Sequence, residues 1–203
     1  MFILFWENTS LKTQYKQPNL VGTQDITTEH LDLRKFKLRD AQQLYDWTKD
    51  EKVNQFLLES ELKNIVEAEH IIISWREQYQ NDDYFLWCIQ LAENKKAIGK
   101  ISATINLSLS SAEISYMISP DMRGKGYATE AVLGVINFLH NEVGIHRVTA
   151  KINTDNIASI KTAEKVGMQL EGILQDALLD RNKKFYDVAL FSKIKDIEIG
   201  DKY

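Results

Sequence analysis

Cysteine is nearly absent. A single thiol, Cys88, excludes an internal disulfide and any zinc site built from several cysteines. It lies within Phe85-Leu86-Trp87-Cys88-Ile89, where it reads as a small core hydrophobe rather than a nucleophile. Histidine is scarce as well. His30, His70, His140 and His146 show no convergent spacing, so neither histidine chemistry nor a metal site is implied, and His70 reads as a helix-surface or packed residue. No apolar run approaches the ~20 residues needed to span a membrane. The opening Met1-Phe2-Ile3-Leu4-Phe5-Trp6 has neither a basic region nor a small-residue cleavage site, so it does not read as a signal peptide. Positive charge is not in excess: 25 Lys and Arg against 29 Asp and Glu leave a formal net charge of −4, which argues against a general nucleic-acid binder. Internal repeats and low-complexity linkers are missing too. A cytoplasmic enzyme fits all of these exclusions.

What is present is enough for one domain with a sizeable core. The chain has 203 residues, 44% apolar and 27% charged, the balance of a globular protein. Residues 1–25 form an N-terminal extension whose Phe2–Trp6 segment can be a strand or a surface anchor. That segment can also add to a neighbour's sheet edge, so a homodimer is a possibility left open. The domain is expected over residues 26–194, with a tail at 195–203. Leu31, Leu33, Phe36 and Leu38 suggest a strand with breaks, and Asp40 suits the cap of a helix carrying Leu44, Trp47 and Val53. Asn64 precedes a second helix with Ile65, Ala68, Ile72, Trp75 and Tyr79 on one stripe. Phe85, Trp87, Ile89 and Leu91 alternate as a strand that returns, after Glu93-Asn94-Lys95-Lys96, over Ala97–Leu107. A turn at Ser108–Ser111 leads into Glu113–Ile118, then a loop and a helix that Gly144 ends. His146–Ile152 is a further strand, Ile157, Ile160, Ala163 and Val166 lie inward on another helix, and two closing strands follow, joined by Asp180-Arg181-Asn182-Lys183. The order implies a mixed α/β domain with a largely antiparallel sheet and helices on each face.

The stretch that organises this chain is Pro120-Asp121-Met122-Arg123-Gly124-Lys125-Gly126-Tyr127-Ala128-Thr129. A strand precedes it and a helix follows. Strand, glycine-rich turn and helix aim several backbone N–H groups at one place, and the positive end of the helix dipole adds to them. Gly124 can take a positive φ and Gly126 lets backbone approach a ligand closely. This reads as a pyrophosphate cradle. A Walker A loop would need Lys-Ser/Thr after its last glycine, and the dinucleotide fingerprint would need a third glycine. The spacing here is Arg-x-x-Gly-x-Ala.

That spacing resembles the pyrophosphate loop of the GNAT superfamily of acetyl-CoA-dependent N-acetyltransferases. A second marker is Asn153-x-x-Asn156-x-x-Ser159 followed by Glu164-Lys165-Val166-Gly167-Met168. Leu31–Phe36 with Asp40-Ala41, Ala97–Ile101, Glu113–Ile118, Glu171-Gly172 and Tyr186-Asp187-Val188 also fit, and they stand in the family's order. Together they look like the branch of ribosomal-protein N-terminal acetyltransferases, the RimJ/RimL type.

The resemblance implies acetyl-CoA as co-substrate, no metal, and direct attack by a primary amine held beside the thioester. The pantetheine arm would lie between the strands Glu113–Ile118 and Arg147–Ile152. Backbone of Met117 and Ile118 would contact it, an amide there facing the thioester oxygen. Backbone from Arg123, Gly124, Lys125, Gly126, Tyr127 and Ala128 to Thr129 would hold the pyrophosphate. Thr129 could add its hydroxyl, while Arg123 and Lys125 either assist electrostatically or point to solvent. Asn153 and Asn156 are further cofactor candidates, and Asn156 is the better of the two; a plain helix N-cap is its other reading, and both roles can coexist. Glu113 is the first choice of general base, against the reading of a cross-strand or surface glutamate. Glu171 and Asp187 are held in reserve. Many GNAT enzymes place a tyrosine acid where this chain has Ala163. Ser159 matches a serine that the ribosomal-protein branch uses near the sulfur, so the resemblance implies it as the acid or thiolate hydrogen-bond donor, or else as a cofactor-positioning residue. The acceptor implied is a protein N-terminal α-amino group. The alternatives are a polyamine or other small amine, an antibiotic included, which Glu59, Glu61, Asp82 and Asp83 could attract, or a non-catalytic acyl-CoA-binding sensor.

Overall fold

The computed structural model describes residues 17–48, 62–180 and 183–196. Phe2–Trp6, Val53, Glu59, Glu61, the Arg181-Asn182 turn and the last seven residues lie outside the described residues. The strands are β1 (Ile26–Thr27), β2 (Leu31–Arg34), β3 (Phe85–Leu91), β4 (Ala97–Asn106), β5 (Ser111–Ile118), β6 (Arg147–Asn153), β7 (Gln169–Leu179) and β8 (Phe185–Ile194). The helices are α1 (Ala41–Thr48), α2 (Ile65–Gln78), α3 (Tyr127–Phe138) and α4 (Ile157–Lys165). All the strands join one sheet in the order β1-β2-β3-β4-β5-β6-β8-β7. Each neighbouring pair is antiparallel except β5 and β6, which are parallel. This is the mixed α/β domain expected from the element order. Among the described residues no helix is long and apolar enough to cross a membrane.

Among the described residues two helices cover each face of the sheet, and β3 shows why. Phe85, Trp87, Ile89 and Leu91 pack in the same core cluster as Ala131, Val132, Val135 and Ile136 of α3 and Ala163 of α4. The intervening Leu86 and Cys88 point the other way, into a second cluster with Leu44 and Trp47 of α1 and Ala68 and Ile72 of α2. A strand buried on both faces reads as a continuous apolar run, because neither side meets water. Each fully buried aliphatic or aromatic side chain of this kind contributes about 1.5–3 kcal/mol. Cys88 is fully buried, and burial pushes its thiol up to about 12. It is a core residue, not a nucleophile.

Local chemistry sets the ends of the elements. Asn64 caps α2, its side chain accepting from Glu67 N at 3.0 Å. Gly144, at φ +84°, stops the five-residue π turn that extends α3. Phe36 and Leu38 fall beyond β2, and Leu38 lies in a short 3₁₀ turn, exposed. Asp40 closes a capping box on the 3₁₀ turn that runs into α1, and it does more than cap. Its carboxylate is buried, accepts from Lys37 N at 2.8 Å, and takes both guanidinium nitrogens of Arg34 at 2.7 and 2.9 Å. Residues 17–25 of the extension pack on the domain. Leu20 and Val21 lie against the core, Thr23 donates to Tyr84 O and accepts from Leu86 N, and Trp87 Nε1 donates to Gln24 O at 2.6 Å.

Candidate active site

The parallel junction of β5 and β6 is short. Ser111, Ala112 and Glu113 pair with Arg147, Val148 and Thr149, and beyond that point the strands part. Ile114–Ile118 and Ala150–Asn153 become opposite walls of a cleft of about 630 Å³. Each strand still pairs on its outer side, β5 with β4 and β6 with β8. Among the described residues their inner edges have no strand partner beyond that point, and an extended chain bearing amides can bond such an edge as an added strand would.

The glycine-rich loop closes the mouth. A 3₁₀ turn at Pro120–Met122 leads into it, and Lys96 Nζ holds Asp121 at 2.7 Å, pinning the loop to the β3–β4 turn. Gly124 and Gly126 have φ of +76° and +90°, in the left-handed region that a side chain resists. Gly126 is the N-cap of α3, so no side chain occupies the first amides of that helix. They are left for an anion, with the helix dipole behind them. The two loop cations separate. Arg123 lines the cleft, with Nε donating to Ile118 O at 3.3 Å, whereas Lys125 is absent from the cleft wall and its Nζ sits 3.6 Å from Met122 Sδ.

A second helix start faces the same space. Asn156 caps α4 through its side-chain oxygen, which accepts from Ser159 N at 3.2 Å. The residue lines the cleft. The cap bond leaves the amide nitrogen of the same side chain without a protein partner among the described residues. Asn153 also lines the cleft, but its oxygen accepts from Asp155 N at 2.8 Å. Gly126, Tyr127, Ala128 and Thr129 line it from the α3 side, and Ser159 from the α4 side.

The carboxylates divide as follows. Along β5, Ala112, Ile114, Tyr116 and Ile118 face α3 and α4, and Met117 faces α1 and α2. The two-residue alternation puts Glu113 and Ser115 on the Met117 side. Glu113 stands at the point of divergence and forms part of a shallower depression with Thr104, Asn106 and Thr149, not the wall of the main cleft. Lys151, which does line the cleft, reaches back to Glu113 Oε2 at 2.8 Å. Glu171 is tied up elsewhere, paired with Arg147 and accepting from Ser192 Oγ at 2.6 Å. The Arg147 hydrogen bond, then that of Ser192, lowers its pKa to about 2, which makes it a poor base. Asp187 accepts from Asp176 N at 3.0 Å.

Residues 30–169 match the model of the acetyltransferase (GNAT) domain family. The chain belongs to the GNAT acetyltransferase family. The uncharacterized N-acetyltransferase YnaD of Bacillus subtilis strain 168 is 27% identical over 158 residues, covering 78% of this chain and 90% of YnaD. A second relative from that organism, provisionally named ribosomal N-acetyltransferase YdaF, is 27% identical over 181 residues, 86% of this chain and 96% of its own. Among solved structures, the microcin C7 self immunity acetyltransferase MccE, a complex with acetyl-CoA and AMP, superposes with a TM-score of 0.73 at 27% identity, over 82% of this chain and 93% of that one. The protein is an N-acetyltransferase that uses acetyl-CoA.

The GNAT chain also brings to the cleft residues to which sequence reasoning assigned no role at the site. Tyr116 sends its hydroxyl across to Ser159 O at 3.1 Å, joining β5 to the first turn of α4. Burial raises its pKa, so the phenol stays protonated. The signal was its parity with Ile114 and Ile118, which places it on the helix side of β5. Tyr186, Lys161, Thr162 and Lys165 line the cleft as well. Ala163 is buried in the core, so no side chain projects into the cleft from that position.

Proposed function

We propose that this acetyltransferase works in the cytoplasm on the α-amino group of a protein N-terminus. The observation that carries the cofactor half is the parting of β5 from β6 just inside a mouth formed by uncapped helix amides. The likeness to YdaF over 86% of the chain supports the acceptor half. Acetyl-CoA supplies an acyl thioester and a thiolate leaving group. In this reading the amides of residues 124–129 hold its pyrophosphate, the inner edges of β5 and β6 bond the amides of its arm, and Asn156 Nδ2 adds a donor. The arm then runs from the loop back along β5, so its reactive end lies near Ile114 and Ser115, deeper than Met117 and Ile118.

Glu113 stands at that depth on the α1/α2 side, and Ser159 belongs to the α3/α4 side. The amine enters from the first side and gives its proton to Glu113, directly or through one water. Lys151 fixes the carboxylate at the point where the strands part. The sulfur leaves toward the second side, where Ser159 offers a hydroxyl and Tyr116 holds the turn that carries it. The 27% identity to a microcin immunity enzyme favours a second acceptor class, a small amine of antibiotic type.

The test is thiol release against peptides with free N-termini, spermidine, spermine and aminoglycosides, run beside the Glu113→Gln variant. Release with peptides alone, lost by roughly two orders of magnitude in the variant, is the expected result, since a general base contributes about 10²–10⁴-fold. Release with small amines alone overturns the acceptor assignment. An undiminished rate in Glu113→Gln removes Glu113 as the base.

A further inference from the structure

Resting on the acetyl-CoA reading of the cleft, we propose that Lys161 and Lys165 of α4 form the recognition site for the 3′-phosphate of the cofactor. Both are exposed, stand one helical turn apart, and line the same cavity as the glycine-rich loop. Among the described residues neither ammonium has a carboxylate partner, whereas Lys95, Lys96 and Lys151 are paired with Asp32, Asp121 and Glu113. Like charges at i and i+4 repel and destabilise a helix. A doubly charged anion between them turns that repulsion into attraction.

The geometry selects which anion. The amides at Gly126–Thr129 account for a pyrophosphate, and the cleft beyond them toward β5 and β6 accounts for the arm. The two lysines belong to neither the loop nor the strand walls, and line the cavity on its α4 wall. A group attached to the far side of the pyrophosphate meets that wall, and in coenzyme A this is the ribose bearing a phosphate monoester. Such a monoester carries about −1.5 to −2 charge at neutral pH. Two flexible ammonium groups suit it as point charges and leave its orientation free. Asp155 is the acidic residue on the cleft wall, and it lies in the turn before α4, two helical turns or more from Lys165. Arg123 is already turned toward Ile118 O. The lysine pair is thus the cation source left for a second phosphate.

Binding titrations with acetyl-CoA and with 3′-dephospho-acetyl-CoA separate this site from the rest of the cofactor. The wild-type protein should bind acetyl-CoA about tenfold more tightly, the scale of two exposed ion pairs to a dianion, and the gap should narrow at high salt. The Lys161→Ala/Lys165→Ala double variant should lose that tenfold for acetyl-CoA and bind the dephospho compound as the wild type does. Equal weakening of both ligands, or of neither, overturns the proposal. Failure of the wild type to bind either compound overturns the reading of the cleft on which it rests. Lys161→Arg/Lys165→Arg keeps the charges and should restore the discrimination. If it does not, charge is not the basis.

Discussion

Gly126 is where local conformation and ligand binding can be pulled apart. Its φ of +90° is left-handed, and a Cβ added there would meet nothing within 4 Å. Space within the protein therefore does not require glycine. Conformation does, and a residue with a Cβ at such a φ costs about 1–2 kcal/mol. For a domain of this size 1 kcal/mol moves Tm by roughly 2–4 °C, so Gly126→Ala should lower Tm by about 2–8 °C. The variant has a second course, which is to relax φ to negative values and rotate the amides at the start of α3. One lost hydrogen bond to a charged group is worth about 1.5–3 kcal/mol, so acetyl-CoA affinity should fall roughly tenfold to a hundredfold. Asn tolerates the left-handed region and is the control. Gly126→Asn should recover most of the Tm. If glycine serves only the backbone angle, the variant should recover affinity too. If the pyrophosphate needs the bare Cα surface, affinity should stay low while Tm recovers. Differential scanning calorimetry and isothermal titration read the two quantities separately. Unchanged Tm and unchanged affinity in Gly126→Ala would refute the cradle.

Two more expectations concern the walls of the cleft and the far end of β6. Tyr116→Phe keeps the ring and removes the bond to Ser159 O, worth about 0.5–1.5 kcal/mol. The KM for acetyl-CoA should rise several-fold and Tm should drop by a few degrees; an unchanged KM would make the tyrosine a packing residue only. Glu171 has its pKa lowered to about 2, so in the folded state it binds a proton later than in the unfolded chain. Its pairing therefore stabilises the fold above the ordinary carboxylate range near 4.5, and that contribution is lost as pH falls from there toward 2. Glu171→Gln should be less stable than the wild type at pH 7, with the gap closing at pH 2–3; a gap constant with pH would mean that Arg147 and Ser192 do not lower its pKa.

Periodicity and turn chemistry made most of the fold readable. The β3 alternation, the α2 stripe through Ile65, Ala68, Ile72 and Trp75, and the glycine stops were local signals, each set by neighbours in the chain. Asp40 was legible only in part. An acidic residue ahead of an apolar helix looks like a cap, and its carboxylate does accept from Lys37 N in the 3₁₀ turn that runs into α1, but only the tertiary structure shows the Arg34 guanidinium that takes it as well. The loop and Asn156 were legible because a helix start needs particular residue types there. Tyr116, Lys161 and Lys165 were not, since a tyrosine in a strand and lysines on a helix are ordinary until the cleft between β5 and α4 is seen. The side of the sheet taken by Glu113 also needed the structure. Alternation fixes that Glu113 and Met117 share a face, but not which helices cover it.

The single parallel pairing explains why the site lies where it does. Antiparallel neighbours send their C-terminal ends opposite ways, so helices that follow them start at opposite edges of the sheet. β5 and β6 run the same way, and each is followed by a helix on the same face: α3 after the glycine-rich loop, α4 after the Asn153–Asn156 turn. Both helix N-termini therefore open at one edge, and their dipoles add on the same volume. Parallel strands also need a crossover, and here α3 is that crossover. The element that makes the pairing possible thus delivers the anion-binding amides as well. Because pairing stops after Glu113 and Thr149, the gap between the strands opens toward that same edge. A long ligand with an anionic end and an amide-bearing arm is oriented by this arrangement alone, with its reactive end directed to the point where the strands rejoin. Glu113 is the carboxylate at that point, so the proposal that it serves as the base rests on topology as much as on its chemistry.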